Sequence, residues 1–69
     1  MKLSARNQLK GTIIELKKGA TTAHVTVEIA GGILVKSSIT NEAVDDLGLE
    51  QGQKATVIIK ASDVMIAVE

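Results

Sequence analysis

The chain has 69 residues and no cysteine, with eight Lys or Arg balanced by eight Asp or Glu. A single domain of this length, 1–69, buries only about 60% of the surface its unfolded chain exposes and needs a support. Disulfides are excluded, a zinc site lacks thiols and has one histidine to draw on, and oligomerisation is what remains. Hydrophobic residues make up 45% of the chain without a single Phe, Trp or Tyr, so Ile, Val, Leu and Ala must form closely packed strands. A zero net charge and the absence of stacking aromatics argue against a nucleic-acid partner. No leader-like apolar segment opens the chain, and no run nears the roughly 18 apolar residues that would span a membrane. A cytoplasmic protein without a membrane partner is the expectation.

In chain order, Ser4-Ala5-Arg6-Asn7-Gln8 sets a hydroxyl, a guanidinium and two amides just ahead of a strand-like run, Leu9 to Leu16. Gly11 inside that run marks a bulge or a close backbone approach. Lys17-Lys18-Gly19-Ala20 is a turn. In the second strand Ala23, Val25, Val27 and Ile29 alternate with His24, Thr26 and Glu28, so one face is buried and the other polar. Gly31-Gly32 suits a two-residue hairpin turn. The returning strand, Ile33 to Ile39, carries Ser37 on its apolar phase.

Residues 40–48 form the only helical candidate. Thr40 or Asn41 is its N-cap, Gly48 its stop, and Val44 with Leu47 its apolar contact. Lys54 to Lys60 gives a fourth strand and Val64 to Val68 a fifth. The predicted fold is all-β, a small five-stranded OB-like barrel with one short helix between strands 3 and 4. Val64-Met65-Ile66-Ala67-Val68 has no polar member, as expected where a second face packs on another subunit.

Catalysis finds no support. His24 lies on a polar strand phase, Cys–His chemistry is impossible, and adjacent helical residues such as Asp45 and Asp46 point apart. No G-x-S-x-G, Walker A or G-x-G-x-x-G motif occurs. The polar groups that invite a functional reading are Ser4, Arg6, Thr40, Lys60 and Ser62, all at strand ends, where loops gather. Each also has a plain structural reading: Ser4 and Ser62 as turn caps, Thr40 as the helix cap, Lys60 as a solvated charge. Taken together, hydroxyls, main-chain N–H groups and limited positive charge meet the needs of a tetrahedral dianion, which carboxylates would repel.

Ser4-Ala5-Arg6-Asn7-Gln8, Leu16-Lys17-Lys18-Gly19-Ala20, Ile39-Thr40-Asn41-Glu42, Asp46-Leu47-Gly48-Leu49 and the run from Val57 to Ile66 together resemble the molbindins, the Mop family of small molybdate binders. The resemblance covers essentially the whole chain. It implies OB-like subunits assembled as homohexamers, trimers of dimers, with molybdate or tungstate at subunit interfaces, no covalent cofactor and no metal cation. Ser4 and Lys60 would contribute side chains and Ala5-Arg6 mainly backbone N–H, with Thr40 and Ser62 from the same or a neighbouring chain. Ala43 stands where related domains can carry a hydroxyl. A second site is implied near the Gly19–Thr22 turn, at Gly19, Ala20 and Thr22. The implied role is storage or buffering of the oxyanion without catalysis. The alternatives are a ligand-free assembly domain and an OB-type nucleic-acid module.

Overall fold

The computed structural model describes the whole chain, Met1–Glu69. Four strands form one open antiparallel sheet: β1 (Asn7–Lys18), β2 (Thr22–Ile29), β3 (Ile33–Thr40) and β4 (Lys54–Ile59), in the order β3-β2-β1-β4. A short helix, α1 (Asn41–Leu47), connects β3 to β4.

The apolar phase of β1 is legible only once its irregularity is included. Leu9 and Ile13, four residues apart, are inward in odd register, whereas Leu16 is inward in even register. A β-bulge between Ile13 and Glu15 supplies the extra residue that lets both halves face the core. Ile13 is 1% exposed and Ile14 stands outside. The bulge is therefore beyond Gly11, which does the other job its type suggests. A Cβ there would collide with the carbonyl oxygen of Glu28 and lie 2.8 Å from Val27 Cγ1. Gly11 is what allows β1 and β2 to approach at this rung.

β2 buries Ala23, Val25 and Val27, as its alternation predicts, and also Thr26 on the phase expected to be polar; Val25 and Val27 meet Ile13 in the core. Leu16, Ile29, Ile39, Leu49, Ala55 and Val57 are half-buried around that centre. The β2–β3 connection differs from expectation. Ile29 and Ile33 still pair, so the link is the three residues Ala30–Gly32 in a 3-10 turn, with Gly31 at φ 81° and Gly32 at φ 76°. Both glycines are needed there, because both backbones are left-handed.

Thr40 caps α1: the Ala43 N–H donates to Thr40 Oγ1 at 3.0 Å. Gly48 ends the helix in the left-handed region, and the Leu49 N–H returns to the Val44 carbonyl at 3.1 Å. Val44 is 3% exposed, but Leu47 is 67% exposed; its expected place in the apolar contact is taken by Leu49, which the reversal of the chain at Gly48 directs onto the core.

The fifth strand is absent from the chain on its own. After β4 a 3-10 turn at Ala61–Asp63 leads into Val64–Glu69, which has no regular structure and no strand partner. A strand needs a hydrogen-bonded neighbour, and this segment leaves the sheet instead of folding back along an edge. The sheet is accordingly open rather than closed as a barrel. Only six of the 69 residues are buried, and Met65, Ile66 and Val68 are among the most exposed. No helix is long and apolar enough to cross a membrane.

Candidate functional site

β1 and β4 pair antiparallel, and Asn7 opposite Ile59 is their last rung. The chain segments that extend beyond this rung, Ser4–Arg6 before β1 and Lys60–Ser62 after β4, therefore emerge side by side at one end of the sheet. The Asn7 side chain ties them: its Nδ2 donates to the Ile59 carbonyl at 3.1 Å. On the other side, Gln8 Nε2 donates to the Ala5 carbonyl at 3.3 Å, which folds the Ser4–Arg6 segment back on β1. With that carbonyl engaged, the main-chain N–H groups of Ala5 and Arg6 remain without a protein acceptor, as do those of Lys60, Ala61 and Ser62. Ser4, Arg6, Lys60 and Ser62 are exposed and Ala5 half-buried. Lys60 is in no ion pair; the one pair in the chain is Lys18 with Asp45. Hydroxyls, amides, the Arg6 guanidinium and the Lys60 ammonium thus collect at this end, with Asp63 in the 3-10 turn as an acidic neighbour.

Thr40 does not belong to this group within one chain. It pairs with Thr22 at the end of β3, beside the end of β1 at Lys18. β1 has twelve residues, so at about 3.3 Å per residue the two ends are roughly 36 Å apart. What Thr40 joins is the Gly19–Thr22 turn. There the Gly19 N–H donates to the Thr22 carbonyl at 2.7 Å and Asn41 Nδ2 to the Gly19 carbonyl at 2.9 Å. Gly19's own amide is therefore occupied, while Ala20 N–H has no protein acceptor. Asn41 Oδ1 is buried beside this turn without a partner.

Selection by residue type picks Ser4 and Lys60 and passes over Asn7 and Gln8, whose side chains bind protein carbonyls. Their signal is positional: an amide residue at the start of a strand can add one more donor to the ladder. The remaining polar candidates stay apart. His24 is exposed on β2 between Lys17 and Ser38. No group of three or more His, Cys, Asp or Glu could hold a metal ion.

A small open sheet with donor-bearing segments at its ends has the groups a binding domain for a small polar ligand needs. The TOBE domain model matches residues 3–66, and the chain belongs to that family. It is 52% identical over 66 residues to molybdenum-pterin-binding protein 3 of Clostridium pasteurianum, covering 96% of this chain and 97% of the relative. Among solved structures it is similar to MopII from Clostridium pasteurianum, with a TM-score of 0.92, 48% identity and coverage of 97% and 100% of the two chains. It is also similar to a molybdate-binding protein from Sporomusa ovata, with a TM-score of 0.93, 34% identity and coverage of 99% and 100%. The Mop resemblance therefore holds along the full chain.

Proposed function

We propose that this chain binds molybdate, or the equally shaped tungstate, at a site built from Ser4, Ala5, Arg6, Lys60 and Ser62, and that it does so as a homo-oligomer. The observation that carries the reading is the Asn7–Ile59 rung, from which two donor-rich segments emerge together. A dianion leaving water needs charge-assisted hydrogen bonds from several directions, and an ammonium with hydroxyls and free main-chain N–H groups offers them. The close relatives that bear molybdate and molybdenum-pterin names support the same ligand class.

Oligomer formation is supported by the exposed apolar tail. Val64–Val68 pairs as a fifth strand with a second copy, which closes the barrel and covers Met65, Ile66 and Val68. The assembly is a homohexamer, a trimer of dimers, in which Thr40 reaches the anion from a neighbouring chain. The Gly19, Ala20 and Thr22 turn forms a second site between subunits. The role is storage or buffering of the oxyanion in the cytoplasm, by a single domain spanning 1–69, without catalysis, covalent cofactor or nucleic acid.

Native mass spectrometry with molybdate, against sulfate at equal concentration, tests this. A hexamer that gains molybdate masses well in excess of sulfate masses is expected, with fewer molybdate adducts on a Lys60→Ala hexamer. Removing a charged donor weakens binding by at least about tenfold. An undiminished number of molybdate adducts in Lys60→Ala overturns the site, and a monomer without adducts overturns the oxyanion reading.

A further inference from the structure

A second cluster of donors lies on the outer face of β1 and β4. Here the rungs Lys10–Thr56 and Thr12–Lys54 follow one another in the antiparallel register. Residues opposed in such a pair share a face, and positions two apart along a strand share it too. The lysines therefore occupy one diagonal of a four-residue square and the threonines the other. Opposed Cβ atoms are about 5 Å apart and diagonal ones about 7–8 Å, a gap that two lysine stems can close onto one small group.

These residues line a cleft rather than a flat patch. Met1, from the segment ahead of β1, lines it together with Lys10, Gly11, Thr12, Lys54 and Thr56, and the cleft, open to solvent, has a volume of about 620 Å³. Thr12 and Thr56 are half-buried and Lys10 and Lys54 exposed, so the lysine stems are free to bring their ammonium groups to a group bound over the threonines. No carboxylate lines the cleft. The acidic side chain nearest in register is Glu28, opposite Thr12 on β2, and it pairs with neither lysine.

Two ammonium groups on one small face repel each other, and an anion between them reverses that energy. The lining offers donors and no fixed negative charge, the set that suits a doubly charged tetrahedral group. Clefts of about 300–1,000 Å³ are the size that holds organic ligands, so the group can be a free ion or the phosphate of a small ester. The chain has no aromatic side chain to stack a flat ring, which makes the body of such an ester small and polar.

We propose that Lys10, Thr12, Lys54 and Thr56 form a separate anion site for a tetrahedral dianionic group, distinct from the Ser4–Lys60 end. The test is amide NMR of the full assembled protein, titrated with inorganic phosphate, with glycerol 3-phosphate, and with chloride at matched ionic strength. Saturable shifts of the Thr12 and Thr56 amides are expected with a phosphate probe and not with chloride. The double variant Lys10→Gln/Lys54→Gln, which keeps most of both stems, weakens binding at least about tenfold. Lys10→Arg/Lys54→Arg retains it, and Lys60→Ala leaves it unchanged, so this site and the molybdate site stand or fall independently. Tighter binding of the ester than of phosphate assigns an organic ligand, and equal binding assigns the free ion. Absence of saturable shifts with both phosphate probes, or an unchanged midpoint in the double glutamine variant, overturns the proposal.

Discussion

Asn7 Nδ2 donates to the Ile59 carbonyl at 3.1 Å, across the last rung of the β1–β4 pair. The bond spans 52 residues of sequence and fixes the angle at which Ser4–Arg6 and Lys60–Ser62 leave the sheet. Asn7→Ala removes it without touching an anion donor. A net hydrogen bond contributes about 0.5–1.5 kcal/mol. Asn7→Ala is therefore expected to weaken molybdate binding by roughly two- to tenfold in calorimetric titration, with the oligomer intact by native mass spectrometry. Affinity equal to the parent protein would show that the two segments keep their geometry without this tie.

Thr40 serves the fold and, in the proposed assembly, the ligand, and charge separates the two. Its hydroxyl accepts from the Ala43 N–H, a role that aspartate fills as well. Thr40→Asp should leave the midpoint of thermal unfolding nearly unchanged, because the cap is kept. Thr40→Ala should lower stability by about 1 kcal/mol, or roughly 4–8 °C in a domain of this size. If the neighbouring chain's Thr40 meets the oxyanion, Thr40→Asp should also lower molybdate affinity through like-charge repulsion. An unaffected affinity in a stable Thr40→Asp hexamer would confine Thr40 to its capping role.

The parts of the fold that sequence alone makes legible are those specified locally. Alternation at Ala23, Val25 and Val27 marks the buried face of β2, and the Thr40 cap with Gly48 brackets α1. What escapes depends on partners distant in sequence. Val64–Val68 has an apolar pattern that says it will be covered, without saying by which chain. Leu47 and Leu49 are indistinguishable as apolar residues until the left-handed turn at Gly48 decides which faces the core. The site divides in the same way. Ser4 and Lys60 stand out by type, but their shared end follows from the register of β1 on β4. Thr40 has the right hydroxyl, and the length of β1 alone moves it to the opposite end.

Gly11 is the position where β1 tolerates least change. A Cβ there meets the backbone oxygen of Glu28, which cannot move aside as a flexible side chain would, and Val27 Cγ1 at 2.8 Å. Gly11→Ala is expected to destabilise the protein by about 2 kcal/mol or more, by analogy with overpacked cores. Urea denaturation would read this as a lower midpoint at similar slope. An alanine variant as stable as the parent would mean that β2 shifts away from β1 at negligible cost.

The apolar tail gives the sharpest test of assembly. Met65 is 92% exposed and Ile66 85%, and both lie in a run without a polar residue. On the sheet's inner face an apolar groove of about 260 Å³ is lined by Val25, Ile39, Leu49 and Val57, among others. A chain that kept both surfaces in water would lose the stabilisation that covering them brings, about 25 cal/mol for each Å². If Val64–Val68 of one copy covers this kind of surface on another, a carboxylate at Ile66 must be desolvated for assembly, at a cost of several kcal/mol. Ile66→Asp is therefore expected to shift native mass spectra from hexamer to smaller species, while Ile66→Val retains the hexamer. In the isolated chain the same residue is solvated, so Ile66→Asp does little to the fold of a single copy. A hexamer that survives Ile66→Asp would place the subunit contacts elsewhere on the molecule.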